Sequence, residues 1–182
     1  NKLSYVLSAR VSPLTYEYRA VRKFLPHMLG GLDNFNAKVG DLYGKFHFQV
    51  NEKSALDASF LGSVDSYGYD TQGDSHDEMS WDNLLGIVRY RFDGEVTSFN
   101  LTASANRYGN RQKQDKTYRG EVSHYSLRSS LMEYGLKAGL QHRFLDERLV
   151  IGEGLNLRYG RFAPGQIGED TRISNTMLST LW

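Results

Sequence analysis

A chain of 182 residues with 22 basic and 21 acidic side chains has a formal charge of +1, which argues against the strong positive field of a nucleic-acid binder. The absence of cysteine excludes disulfide frameworks, thiolate metal sites and thiol nucleophiles. No apolar run approaches the roughly 20 residues of a membrane-crossing helix, but 18 Gly, 12 Tyr and 9 Phe against 3 Pro suit a strand-rich chain with aromatic bands. A membrane barrel also escapes hydropathy scans, because alternate residues of each strand are polar.

Matching the sequence to a period of two predicts seven strands. The first, Leu3 to Ser12, sets Leu3, Tyr5, Leu7, Ala9 and Val11 against Ser4, Ser8 and Arg10. After it, "SPLTYEYRAVRKFLPHMLGG" suits a short helix ended by Pro26 and the Gly30–Gly31 pair. The second strand ends near Val50, with Leu42, Phe46 and Phe48 opposite Tyr43, Lys45, His47 and Gln49. The third, Ala55 to Ser66, opposes Leu56, Ala58, Phe60 and Val64 to Asp57, Ser59, Ser63 and Asp65.

In the fourth strand, Leu84 to Phe92, Leu84, Val88, Tyr90 and Phe92 face away from Arg89 and Arg91, while Leu85 and Ile87 blur the pattern. The fifth, Thr97 to Tyr108, alternates Phe99, Leu101, Ala103 and Ala105 with Ser98, Asn100, Thr102 and Ser104. The sixth carries Met132, Tyr134, Leu136, Ala138, Leu140 and Phe144 against Glu133, Lys137, Gln141 and Arg143, with His142 a misfit on the greasy face. The seventh sets Leu149, Ile151, Leu155, Leu157 and Tyr159 against Asn156 and Arg158, interrupted by Glu153. Thr171 to Thr180 is a candidate eighth strand.

Connection lengths alternate. Tight turns are expected at Asn51 to Ser54, Asp93 to Val96 and Leu145 to Arg148, and long loops at about 13–40, 67–82, 109–130 and 163–182. This sorting resembles outer-membrane barrels, with short periplasmic turns and long external loops. The fold class expected is all-β, an antiparallel up-and-down meander forming part of a transmembrane barrel across residues 1–182.

Chemical motifs are scarce. "GEG" at Gly152 to Gly154 lies inside a strand rather than at a strand-to-helix turn, and no Walker, HExxH or nucleophile-elbow sequence occurs. No catalytic residue, cofactor or metal site is assigned, and no enzymatic activity is expected. Asp70, Asp74, His76, Asp77, Glu78 and Asp82 offer oxygen ligands for Ca²⁺, but without EF-hand spacing, so a solvated acidic loop is the preferred reading. The run with Arg107, Arg111, Lys113, Lys116 and Arg119 reads first as a solvated loop and next as a contact for lipopolysaccharide phosphate or an anionic ligand. His142 and Glu153 mark either the interface near the turn end or a register shift.

The segments "LSYVLSARVSPL", "FNAKVGDLYGKFHFQVNEKSALDASFLGSVDSYGY" and "YGLKAGLQHRFLDERLVIGEGLNLRYGRFAPG" together resemble the barrel of a TonB-dependent outer-membrane receptor of the Bacteroidetes kind. Ser4, Ser8 and Arg10 match a serine-rich pattern typical near the start of such barrels. The resemblance implies a 22-stranded barrel, an N-terminal plug, energy from the TonB complex and import of a scarce ligand such as a glycan, siderophore or haem. It also implies the outer membrane of a Gram-negative bacterium, contact with the lipid bilayer and lipopolysaccharide, a possible surface lipoprotein partner, and no nucleic acid. The segment would supply about a third of the strands and no plug, and so reads as a fragment of the receptor. On this reading Lys45, Arg89, Arg91, Lys137, Arg143 and Arg158 face the lumen, and Tyr67, Tyr69, Trp81 and Tyr108 in the long loops contact ligand. Two alternatives stand beside it: a complete eight-stranded outer-membrane barrel with a structural or adhesion role, and a soluble lipocalin-like barrel with its apolar face inward.

Overall fold

The computed structural model describes residues 2–25, 32–71, 75–145, 148–165 and 173–181, with residues 32–33 and 173–181 described by backbone alone. Eight antiparallel strands form one sheet in the order β1-β2-β3-β4-β5-β6-β7-β8. They are β1 (Leu3–Ser12), β2 (Leu32–Asn51), β3 (Ser54–Thr71), β4 (Ser75–Asp93), β5 (Thr97–Tyr118), β6 (Glu121–Phe144), β7 (Leu149–Ala163) and β8 (Ile173–Leu181). The helix α1 (Leu14–Phe24) lies between β1 and β2. Each strand pairs with its sequence neighbours, and β1 and β8 are not paired to one another among the described residues, so the sheet is open. No described helix is long and apolar enough to cross a membrane.

The three tight turns fall where the sequence places them, between β2 and β3, β4 and β5, and β6 and β7. The long loops require correction. β3 runs on to Thr71 and β4 starts at Ser75, so most of 67–82 is ladder. Within 109–130, β5 and β6 stay paired as far as Tyr118 and Glu121, closing on Arg119 and Gly120. Both turn residues have positive φ, 52° and 85°, the conformation of a two-residue type I′ hairpin turn, which glycine adopts without steric cost. Of 13–40, α1 and the first part of β2 account for most; Pro26, Gly30 and Gly31 lie outside the described residues. The final segment holds β8.

Registry sorts the residues into two faces, since directly opposed residues share a side and alternate residues do not. One row across the sheet reads Tyr5, Phe46, Ala58, Val88, Ala103, Leu136 and Leu157, and the next toward the tight turns reads Leu3, Phe48, Leu56, Tyr90, Leu101, Ala138 and Leu155. Every member is apolar. Polar side chains hold the opposite face. Leu85 and Ile87, which blurred the fourth strand, belong to that opposite face, where Tyr43, Leu61 and Leu85 form one row.

Both faces of this open sheet are accessible: Tyr5 is 66% exposed and Leu84 57% on the apolar face, and on the charged face Lys45, Arg89, Arg91, Lys137 and Arg158 are exposed while Asp57 and Arg143 are partly sheltered. The charged face is termed inner and the apolar face outer.

Where β1 stops at Ser12, the edge of β2 is left without a strand. The Thr15 hydroxyl of α1 accepts from the Ala37 N–H at 2.7 Å and lies 2.7 Å from the Ala37 carbonyl, covering backbone groups that an open edge leaves unpaired. Tyr18 of α1 meets Phe35 at 4.9 Å between ring centroids, which fastens the helix to the sheet.

Candidate functional site

Both faces change character along the strands. Beyond Val64 on β3 and Leu84 on β4, the outer face carries Ser66, Ser80, Glu78, Lys113, Ser126, Asp70, His76, Asp115 and His124 in successive registered rows. The inner face, polar alongside the apolar band, there becomes rich in rings and aliphatic groups: Tyr67, Met79 and Leu127 share one row, Tyr69 and Tyr125 another. The outer face is thus apolar in one stretch and charged in the next.

The four aromatic residues expected to contact ligand, Tyr67, Tyr69, Trp81 and Tyr108, all fall on the inner face, although on strands rather than on loops. Phe35 lies 6.5 Å from Tyr67, and Tyr67 packs edge-on against Trp81 at 5.7 Å. With Tyr18 they form a run of rings from α1 across β2 and β3 to β4. Tyr108 sits on the neighbouring strand β5, one row nearer the band. Beside this shelf, Gln114 donates to buried Asp77 at 2.6 Å. Ring faces flanked by amide and carboxylate groups suit stacking against a ligand ring together with hydrogen bonds to its rim. Sequence reasoning missed Tyr18, Phe35 and Tyr125 because it treated these stretches as loops; carrying the period-two count of β3 past Ser66 would have placed Tyr67 and Tyr69 on one face.

The six basic residues expected toward the lumen also share the inner face. Arg91 pairs with Asp57 at 2.9 Å, and His47 reaches the same carboxylate at 2.8 Å. Arg89 donates to the Thr102 hydroxyl at 3.3 Å. Arg143 spans the β4–β5 turn, donating to the Gly94 carbonyl at 2.9 Å, the Ser98 hydroxyl at 2.7 Å and Asp93 at 3.1 Å. Among the described residues Lys45, Lys137 and Arg158 have neither an ion-pair nor a hydrogen-bond partner for their side chains, which sets them apart from the other three.

The acidic stretch does not converge. Asp77 lies on the inner face while His76 and Glu78 lie on the outer, and Asp74 is outside the described residues. No group of three or more metal-ligating side chains forms among the described residues. On the apolar face, β6 and β7 pair without a register shift, and His142 bonds the Thr97 hydroxyl at 3.0 Å near the turn end. The registry therefore shows no shift at His142 or at Glu153.

Near the outer end of the β3–β4 hairpin, His76 Nδ1 lies 2.6 Å from Asp70, which also accepts from Asn34 at 2.6 Å. The hydrogen bond from His76, then that from Asn34, holds the Asp70 carboxyl below its ordinary 3.8. The bond to Asp70 holds the imidazole above its ordinary 6.5, reinforced by the charges of Asp70, Asp115 and Glu78. Asp70's contribution to stability is present above 3.8 and lost as pH falls through its depressed value. His76's is complete below 6.5 and lost as pH rises through its raised value. An NMR titration of the His76 ring protons is expected to show a midpoint above 6.5 that returns toward 6.5 in Asp70→Asn. An unchanged midpoint would remove the pair from the account of this hairpin.

No family model and no curated protein sequence matches the chain. Among solved structures, the chain is similar to BauA, the ferric preacinetobactin receptor from Acinetobacter baumannii, with a TM-score of 0.47 and 11% identity over 80% of this chain and 28% of that one.

Proposed function

We propose that the chain is the barrel portion of an outer-membrane receptor of the TonB-dependent type, importing a scarce ligand and performing no catalysis. The apolar face meets lipid, the charged face lines the lumen, and the tight turns lie in the periplasm. The observation that carries this reading is the slant of the apolar band. Its outer limit is Val64 on β3, one row nearer the turns at Leu84 on β4 and Met132 on β6, and two rows nearer at Ala105 on β5 and Tyr159 on β7, where Val64's own row reaches Ala163. Four residues at about 3.4 Å, gained over four strand spacings of about 4.8 Å, give a slope of about 35°. On the turn side the uninterrupted apolar stripe ends at Leu56, Phe92, Phe99, Leu140 and Leu155, within one row of each other, with His142 and Glu153 beyond it. A level lipid slab cut by strands tilted 35–45° produces a slant of the size found at the outer limit. The stripe from Leu56 to Val64 covers about 27 Å of strand, or about 20 Å of height at that tilt, close to the roughly 25 Å band of such barrels.

A lipocalin-like barrel would turn Leu136, Leu155 and Leu157 inward and Lys137 and Arg158 outward, the reverse of this placement. A closed eight-stranded barrel would pair β1 with β8, which the described residues do not do. In the larger barrel, Lys45, Lys137 and Arg158 face a plug, and the rings of Tyr67, Tyr69, Trp81 and Tyr108 form part of the external vestibule that captures ligand. Binding of ferric siderophores, haem and oligosaccharides to the full natural chain in detergent tests the reading. One of these probes is expected to bind, with Trp81→Ala and Tyr67→Ala each weakening it about tenfold, as loss of a stacking ring does. Binding indifferent to both substitutions would contradict the assignment of the shelf.

A further inference from the structure

We infer that the outer ends of β3 to β6 carry a pH-sensitive latch, a row of alternating carboxylates and imidazoles that draws the two tall hairpins together in mild acid and releases their ends as pH rises. The row crosses four strands in register on one face: Asp70 on β3, His76 on β4, Asp115 on β5 and His124 on β6. Asp33 of β2 stands opposite Asp70 and adds a further acidic position at the end of the row. His76 Nδ1 lies 2.6 Å from Asp70, and His124 Nδ1 lies 2.8 Å from Asp115. The first pair closes the β3–β4 hairpin and the second the β5–β6 hairpin. The two hairpins meet where His76 and Asp115 are directly opposed across the β4–β5 ladder.

Protonation sets the sign of the interaction at that seam. With both imidazoles charged, His76 stands between two carboxylates and the charges of the four groups cancel. With both neutral, Asp70 and Asp115 flank an uncharged ring, and repulsion between like charges replaces attraction. Histidine is the side chain whose ordinary titration falls between about pH 5 and 8. The remaining groups that face the row leave this balance standing. One row nearer the band, Glu78 and Lys113 pair with each other at 3.1 Å. Asn34, which donates to Asp70 at 2.6 Å, is neutral, and toward the tips Thr117 and Val122 carry no charge. Among the described residues β7 does not reach this height, its ladder with β6 ending at Ser130 and Ala163. The bond to Asp70 first, then the charges of Asp70, Asp115 and Glu78, hold the His76 imidazole above its ordinary 6.5. The latch is therefore closed below 6.5 and opens as pH rises through the raised value.

Exposed charge pairs are weak singly, but hairpin ends with solvent-exposed ladders open at low free energy, so a small bias shifts their population. The latch also sits against the ring-bearing wall. Tyr69, Asp77, Gln114 and Tyr125 form the adjoining row of the inner face, each one residue along the chain from a member of the latch. Release of the ends loosens that row, so the outermost rings are held more firmly in acid than in base. The latch itself is independent of the receptor reading; only its effect on ligand capture rests on it.

The test follows amide hydrogen exchange by mass spectrometry in the full natural chain in detergent, from about pH 5.5 to about pH 8.5. Each rate is expressed relative to that of an unstructured peptide at the same pH. Wild type is compared with His76→Gln/His124→Gln and His76→Lys/His124→Lys, at positions whose side chains are 53% and 72% exposed and so tolerate replacement without repacking. Protection of residues 68–78 and 112–126 in wild type is expected to fall about threefold to tenfold across that range, the scale of two exposed pairs. Residues 132–140 are expected to hold theirs. The glutamine variant is expected to keep the low level throughout, and the lysine variant, charged at every pH used, the high level throughout. Wild-type protection that does not change with pH would overturn the latch, as would a fall of equal size in the glutamine variant. A lysine variant protected no better than the glutamine one would overturn its electrostatic basis. Because the readout needs neither ligand nor bilayer, failure of the receptor reading leaves the latch standing, and failure of the latch leaves that reading standing.

Discussion

Leu136→Arg is expected to lower the unfolding free energy of the membrane-inserted protein by about 2–4 kcal/mol, the cost of an arginine on a lipid face near mid-bilayer. Leu136 lies 41% exposed within the row of Tyr5, Phe46, Ala58, Val88, Ala103 and Leu157, with further apolar rows on either side. In water an exposed leucine of this kind costs little to replace, so the size of the effect reports the solvent. Val122→Arg supplies the comparison. Val122 occupies the same face of the same strand and is 55% exposed, but it lies near the type I′ turn beyond the band. Its replacement is expected to change stability by less than about 0.5 kcal/mol. Urea titration of both variants in phospholipid vesicles measures the difference. Equal and small effects would mean that the apolar face meets water or another protein surface rather than lipid.

The second large effect is expected at the opposite end of the sheet. Arg143→Met removes the three hydrogen bonds that tie β6 to the β4–β5 turn, and is expected to destabilise the protein by about 2 kcal/mol, since bonds to a charged donor are among the stronger ones and the Gly94 carbonyl loses a partner. Methionine keeps the apolar stem, so the loss reports the guanidinium rather than packing. Asp93 supplies an independent reading. The Ser98 hydroxyl first, and Arg143 second, hold its carboxyl below the ordinary 3.8. Its contribution is present above that value and lost as pH falls through the depressed one. In the variant the Asp93 midpoint is expected to rise toward 3.8, measurable by carbon-detected NMR, while Arg143→Lys recovers part of the shift. A variant with wild-type stability and an unmoved Asp93 would show that the turn holds without the guanidinium.

The band was legible in the sequence because apolar and polar residues alternate with a period of two, so Leu136, Ala138 and Leu140 announce one face and Lys137 and Gln141 the other. The tall hairpins were not legible for the converse reason. From Asn110 to Thr117 the side chains of β5 are polar on both faces, even where its inner neighbours are Met79, Leu127 and Tyr125, and the sequence "NRQKQDKTY" shows no period of two. What holds such a strand is its backbone ladder and cross-strand partners such as Lys113 with Glu78 and Asp115 with His124, which depend on registry and not on composition. The one local signal was Arg119–Gly120, a dipeptide of the type that closes two-residue hairpins only when the flanking residues are already read as strands. Loop sorting, which first suggested outer-membrane topology, therefore reappears as sorting of strand height: the ladder stops within a few residues of the band at the tight turns and continues far past it at the other end.

The candidate site followed the same division. Lys45, Arg89, Arg91, Lys137, Arg143 and Arg158 sit within strongly alternating strands, so their common face could be counted directly. Tyr67 and Trp81 were chosen as loop aromatics and turn out to be ladder residues one row apart on paired strands, a relation set by the β3–β4 registry. The row of His76, Asp115 and His124 was hidden in the same way, because its members are distant in sequence and opposed only once the hairpins are aligned.

The most direct measurement is a nitroxide scan along β6 from Ser123 to Phe144 in the full natural chain reconstituted in vesicles, with one cysteine introduced at a time; the 182 residues contribute no cysteine of their own. Met132, Tyr134, Leu136, Ala138 and Leu140 are expected to show high oxygen accessibility, with Glu133, Lys137 and Gln141 open instead to a water-soluble nickel reagent. Past the band the phase inverts: His124, Ser126 and Arg128 become accessible to nickel, and Tyr125 and Leu127 less so. Nickel accessibility at Tyr134, Leu136 and Ala138 equal to that at Ser126 and Arg128 would contradict a lipid-facing band.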